Sequence, residues 1–185
     1  MSKLTTEQYD YVVQTAKDIF IKKTKDYGTS WRVLRTISVV DQIFIKALRI
    51  RNIQELKSQK IGDDIPSEFK GMLNYAVIGL IQLQKGKPHV EDLDAAEAGR
   101  LYDEQVLLAK ETMLNKNHDY GEAWREMSQQ SFTDLIIVKL LRIKQILLND
   151  GKTLISEGID ANYTDIVNYA VFALILIDEQ KYPHT

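Results

Sequence analysis

Apolar residues recur at helical spacing along most of the chain, and the period-two alternation of a half-buried strand is essentially absent. Thr5 or Thr6 can cap a first helix with Glu7 in its first turn, running to about Lys25. Gly28 then offers a left-handed stop. A second helix starts near Ser38 and runs to about Ser58. KIGDDIP reads as a loop, and Pro66 suits the first turn of a third helix. That helix places Phe69, Met72, Leu73, Ala76, Leu80 and Leu83 on one stripe. The same order returns as helices over about 94–117, 131–149 and 160–180, with Asn149-Asp150-Gly151 ending the fifth. The sixth is apolar nearly all round, which predicts a central position. The fold class is all-α, with six helices.

The recurrence is an internal repeat. At an offset of 93, Tyr9-Asp10 meets Tyr102-Asp103, Ala16-Lys17 meets Ala109-Lys110 and Lys23 meets Lys116. Asp26-Tyr27-Gly28 meets Asp119-Tyr120-Gly121, and Trp31-Arg32 meets Trp124-Arg125. Asp41, Lys46 and Arg49 meet Asp134, Lys139 and Arg142. After one inserted residue, Asn74-Tyr75-Ala76-Val77 meets Asn168-Tyr169-Ala170-Val171 at an offset of 94. A unit of roughly 80 residues has been duplicated. Each unit alone would leave a wide apolar face exposed. Two can bury those faces around a pseudo-twofold axis, as a homodimer would. The expected organisation is one domain over 1–185, with repeats at 5–85 and 95–180 and a linker at 86–94.

Composition narrows the classes. The chain has 185 residues, is 44% hydrophobic and 27% charged, and carries a net charge of −2. That suits a soluble globular protein and argues against a nucleic-acid binder with a broad basic face. Absence of cysteine excludes disulfides, thiolate metal sites and cysteine catalysis, and fits a cytoplasmic setting. The polar start, MSKLTTEQYD, carries no signal-peptide pattern. The longest apolar run, 166–177, is too short to span a bilayer, so no membrane partner is expected. Residues 1–92 carry 15 basic against 11 acidic side chains, and residues 93–185 carry 9 against 15. Either surface charge has drifted, or the halves meet with complementary fields.

Four constellations could carry chemistry, each with a structural reading beside the functional one. The first is K-x-x-D-Y-G-x-x-W-R, at Lys23 to Arg32 and Lys116 to Arg125. A helix stop explains its lysine, glycine and aromatics. It does not explain Asp26 and Asp119 at a helix C-terminus, where the dipole disfavours them, or Arg32 and Arg125 after the tryptophans. Those residues with Tyr27, Trp31, Tyr120 and Trp124 suit a base-and-phosphate pocket. The second is Asp41, Lys46 and Arg49 with its copy. Arg49 lies about 80° from Asp41 around the helix and Lys46 about 60° further, so all share one side. They form a surface ion network or hold a phosphate. The third is Asn74 and Asn168, which in apolar helices must find partners in the core or in a ligand. The fourth is acidic: Glu157, Asp160 and Asp165, against Asp63, Asp64 and Glu68 in the first copy. Such oxygen clusters can hold magnesium with substrate phosphates. His89, His118 and His184 are scattered, and no phosphate-binding or dinucleotide glycine loop occurs.

K-x-x-D-Y-G-x-x-W-R, a D…K-x-x-R helix and an acid-bearing loop leading into D-x-x-N-Y-A together resemble the nucleotide modification associated domain 1 family. These are small all-helical proteins of bacteria and phages. The resemblance spans almost the whole chain, once per repeat. In the second copy Glu157, Asp165, Asn168 and Tyr169 fit the family's third element, whereas Gly71 stands opposite Asp165 in the first. The resemblance implies a link to modified-nucleotide metabolism. A more distant likeness is to the all-alpha nucleotide pyrophosphatases, whose E-E-x-x-E and E-x-x-D clusters are not intact here.

The expected function is therefore binding of a nucleotide or another phosphorylated small molecule. Asp26/Asp119 and Asn74/Asn168 would contact base or sugar, and Trp31/Trp124 or Tyr27/Tyr120 would stack. Arg32/Arg125, Lys46/Lys139 and Arg49/Arg142 would hold phosphate. An enzyme would hydrolyse a phosphoanhydride with magnesium at Glu157 and Asp165. The rival is a non-catalytic interaction module whose repeated residues cement the pseudo-dimer. Homo-oligomerisation of the whole chain is compatible with both.

Overall fold

The computed structural model describes residues 3–57, 64–86 and 91–183. They form six α-helices: α1 Lys3–Tyr27, α2 Thr36–Leu56, α3 Ile65–Lys85, α4 Ala95–Tyr120, α5 Gln129–Leu148 and α6 Ile159–Asp178. Among the described residues there is no strand, and no helix is long and apolar enough to cross a membrane. Short 3-10 turns, Ser30–Val33 and Ala123–Glu126, join α1 to α2 and α4 to α5. They carry the two Trp-Arg pairs and were not legible as elements in the sequence.

Local chemistry sets the boundaries. Gly28 and Gly121 adopt φ +67° and +62°, and each donates its N–H back to a carbonyl of the preceding helix, Thr24 and Asn117, at 2.8 Å. Asp64 caps α3 by accepting from Ser67 N at 2.9 Å, with Pro66 in the first turn as expected. Asp94 caps α4 by accepting from Glu97 N at 2.8 Å. Thr5 is a correction. It lies inside α1 and is buried, donating its hydroxyl proton to Glu122 and accepting from Arg125 Nη2 at 2.7 Å. The first turn of α1 contacts the second repeat through this side chain.

α3 and α6 pack against each other most extensively and form the central layer. α2 and α5 cover one side, while α1 and α4 cover the other. Phe69, Met72, Leu73 and Ala76 are fully buried, as are Ile166, Val167, Ala170, Val171 and Ala173. Each large apolar side chain so buried contributes about 1.5–3 kcal/mol. Leu83 departs from its predicted stripe: it is 40% exposed in the last turn of α3, where Gln82 is buried instead.

The halves are joined reciprocally. Lys17 pairs with Asp103 at 2.8 Å, and Lys110 pairs with Asp10 at 2.6 Å. Tyr9 of the first repeat donates to Asn168 of the second, and Tyr102 of the second donates to Asn74 of the first. The duplication thus generates the contacts a symmetric dimer makes twice.

Candidate functional site

The DYG turns place Tyr27 and Tyr120 at 71% and 75% exposure, with Asp26 and Asp119 exposed beside them. The aspartates do not pair with the arginines six residues on. Asp119 meets His118 at 3.1 Å. The arginines take different routes. Arg32 is 1% exposed, and its guanidinium donates to Asp92 at 2.8 Å, to Gly86 O at 2.7 Å and to Gln82 Oε1. Its hydrogen bonding holds the Asp92 carboxyl below the usual carboxylate range. Arg125 is instead half-buried, 4.5 Å from the centre of the Trp124 ring, and donates to Glu179 at 3.0 Å, Thr5 at 2.7 Å and Gln8 at 2.8 Å. Both guanidiniums are engaged by protein partners. The difference lies in α3 and α6: Gln82 accepts Arg32, but the corresponding Leu176 offers Arg125 no partner.

The expected Asp-Lys-Arg network on one helix does not form. Asp41 pairs across the repeats with Lys144 at 3.1 Å. Lys46 and Arg49 reach Glu68 of α3 at 3.5 and 2.9 Å. In the second repeat the neutralising acid has moved one helical turn, to Asp165, which binds Lys139 at 2.8 Å and Lys116 at 2.9 Å. Burial alone would lower the Lys116 pKa, but the Asp165 hydrogen bond and charge outweigh it and raise it. Asn162 stands where Glu68 would be, and Arg142 is exposed.

Asn74 and Asn168 are occupied by the core. Each accepts from a tyrosine of the other repeat at 2.7 Å and donates to a carbonyl, Ala16 O at 2.9 Å and Ala109 O at 3.0 Å. The structural reading accounts for both. The magnesium pair fits no better. Asp165 is 8% exposed with each oxygen held by a lysine, and Glu157 is exposed in the loop before α6. Among the described residues, no three acids or histidines group to hold a metal. Asp63, His89 and His184 lie outside the described residues.

An open cleft of about 660 Å³ remains in the first repeat, between the end of α1, the 3-10 turn, α2 and α3. Trp31, Tyr27, Phe20 and Tyr75 give it aromatic walls, and Lys23, Lys46 and Lys70 give it charge, against Glu68 alone among its acids. Lys23 and Lys70 make no hydrogen bond or ion pair among the described residues. Of the residues singled out in the sequence, Tyr27, Trp31, Lys46 and Asn74 line this cleft. Two side chains of the second repeat stand at the positions that Ile78 and Gly71 hold beside the first-repeat cleft. Phe172, opposite Ile78, stacks on Trp124 with centroids 4.2 Å apart and planes 5° from parallel. Asp165, opposite Gly71, bridges the two lysines.

Lys70, whose counterpart is Thr164, was missed because it lies outside the repeated motifs. The signal was in the mismatches: Gly71/Asp165, Ile78/Phe172 and Gln82/Leu176 mark where one copy opens and the other closes.

No curated protein and no solved structure matches the chain. The sequence profile of nucleotide modification associated domain 1 matches residues 23–83 and 116–177, one match per repeat and each spanning a DYG turn and the central helix. The chain belongs to the nucleotide modification associated domain 1 family.

Proposed function

We propose that the first-repeat cleft binds a nucleotide or nucleotide-like phosphate ester. One observation carries the reading: Lys23 and Lys70, which make no ion pair among the described residues, share an open cleft with the half-buried rings of Trp31 and Tyr75. Aromatic faces stack on a base, and ammonium groups attract phosphate. A cleft of about 660 Å³ lies within the range of small-molecule sites. The family's association with nucleotide modification supports the same ligand class.

Within this reading the first repeat binds and the second repeat is a structural partner. Asp165 is neutralised and Arg32 is buried, so these residues favour binding over phosphoanhydride hydrolysis. Magnesium is no part of the proposal. A thermal-shift screen of nucleoside mono-, di- and triphosphates tests it. A nucleotide at 100 times its dissociation constant adds about 2.7 kcal/mol. The shift should be lost in Trp31→Ala, after correction for that variant's own stability. Absence of a shift with every nucleotide would remove the proposal. Turnover of the bound nucleotide would restore the hydrolase reading.

A further inference from the structure

The two repeats arrange the same three positions differently. In the second, Lys116 and Lys139 converge on the Asp165 carboxylate at 2.9 and 2.8 Å, one oxygen each. Their counterparts are Lys23, Lys46 and Gly71. The lysines are kept, but the carboxylate between them is gone. A β-carbon on Gly71 would stand 3.1 Å from Lys46 Cδ and Cε and 3.3 Å from its Nζ, so the ammonium leans directly over the glycine. Glu68 only partly replaces the lost acid. It lies 2.9 Å from Arg49 but 3.5 Å from Lys46, and Lys23 has no ion pair among the described residues. Lys70 adds a third ammonium to the same cleft.

We propose that the first repeat holds a compact oxyanion, the phosphate or carboxylate end of its ligand, between Lys23 and Lys46 beside Gly71. The second repeat shows the geometry of the complex with its own aspartate as occupant. On binding, Lys46 exchanges its long contact with Glu68 for the oxyanion, while Arg49 keeps its ion pair with Glu68. Charge-assisted hydrogen bonds from two ammonium groups suit an oxyanion with at least two free oxygens. The inference rests on the cleft being a ligand site, but it does not require the ligand to be a nucleotide.

The test is calorimetric titration of the full chain with pyrophosphate, AMP and succinate, in wild type, Lys23→Met and Gly71→Asp. Gly71→Asp copies the second repeat, so it should close the site from within while keeping the fold. At least one probe should bind the wild type with one site per chain and weaken tenfold or more in both variants. If Gly71→Asp does not fold, Lys23→Met still decides. Unchanged affinity in the folded variants overturns the proposal, as does absence of binding by all three probes. AMP binding that survives both variants leaves the nucleotide cleft standing and removes the oxyanion position. Pyrophosphate binding lost in both variants, with no binding of AMP, keeps the oxyanion position and removes the nucleotide. Succinate binding in place of either phosphate assigns the position to a carboxylate.

Discussion

The phenol of Tyr9 donates to Asn168 Oδ1 at 2.7 Å, across the seam between the repeats and fully inside the core. Tyr102 and Asn74 make the same bond in the opposite direction, also at 2.7 Å. Each asparagine anchors a central helix to an outer helix of its own repeat through its amide hydrogens, and to the other repeat through its oxygen. Tyr9→Phe leaves Asn168 Oδ1 dry and should cost about 1–3 kcal/mol. Urea denaturation measures this, and a double-mutant cycle with Asn168→Leu should return a coupling of about 0.5–3 kcal/mol. Burial pushes the Tyr9 and Tyr102 phenols well above their ordinary pKa. For a raised acid, the stability contribution is complete below the unfolded value of about 10 and is lost as pH rises above it. Alkaline unfolding should therefore coincide with tyrosinate absorbance and begin at lower pH in destabilised variants.

Arg32 is a structural pin of the first repeat. Arg32→Met strands the buried Gln82 Oε1, at about 1–3 kcal/mol, and removes the donor to Gly86 O, which is exposed. Arg32→Lys should recover little, since an ammonium cannot reproduce the planar fork. Asp92 has its carboxyl pKa depressed by this arginine. Its contribution is present above the unfolded carboxylate value and lost as pH falls through the lower folded one. The acid arm of the stability curve should thus be shallower in Arg32→Met than in wild type, as measured by denaturation between neutral and acid pH.

Ile78 decides whether Trp31 is covered. Ile78→Phe should place a ring against Trp31 as Phe172 stands against Trp124. The expected outcome is loss of the nucleotide-induced thermal shift with stability retained or raised. Retained ligand binding in a well-folded Ile78→Phe chain would detach Trp31 from the site.

Tyr163 illustrates packing without hydrogen bonding. Its ring occupies the space over Gly79, where a β-carbon would fall 2.5 Å from Cζ, and its buried hydroxyl has no partner among the described residues. Gly79→Ala should cost about 1–3 kcal/mol through overpacking. Tyr163→Phe removes an unsatisfied group and should be neutral or stabilising. Thermal denaturation distinguishes the two.

The architecture was legible because duplication writes it twice. Helical periodicity marks the helices, and the offset of 93 shows that the DYG stops recur and that two units can pair around a pseudo-twofold axis. The same regularity does not say which copy of a repeated residue faces a cleft. Asn74 and Asn168, present in both copies, serve the shared fold, and both are held in the seam by hydrogen bonds. Arg32 and Arg125 share a position in the repeat but not an environment, because side chains a helix away, Gln82 and Leu176, decide where each guanidinium goes. Thr5 read as a cap from its neighbours alone, yet its partners Glu122 and Arg125 lie more than a hundred residues away. The opening of the cleft depends on what is missing at Gly71 and smaller at Ile78, which a search for repeated chemistry passes over.

The central claim is that the duplicated fold keeps one open site, in the first repeat. Calorimetric stoichiometry tests it most directly, using the nucleotide with the largest thermal shift. The expected result is one nucleotide per chain in wild type and in Arg142→Ala, and none in Ile78→Phe. Two nucleotides per wild-type chain, or one that survives Ile78→Phe, would contradict it.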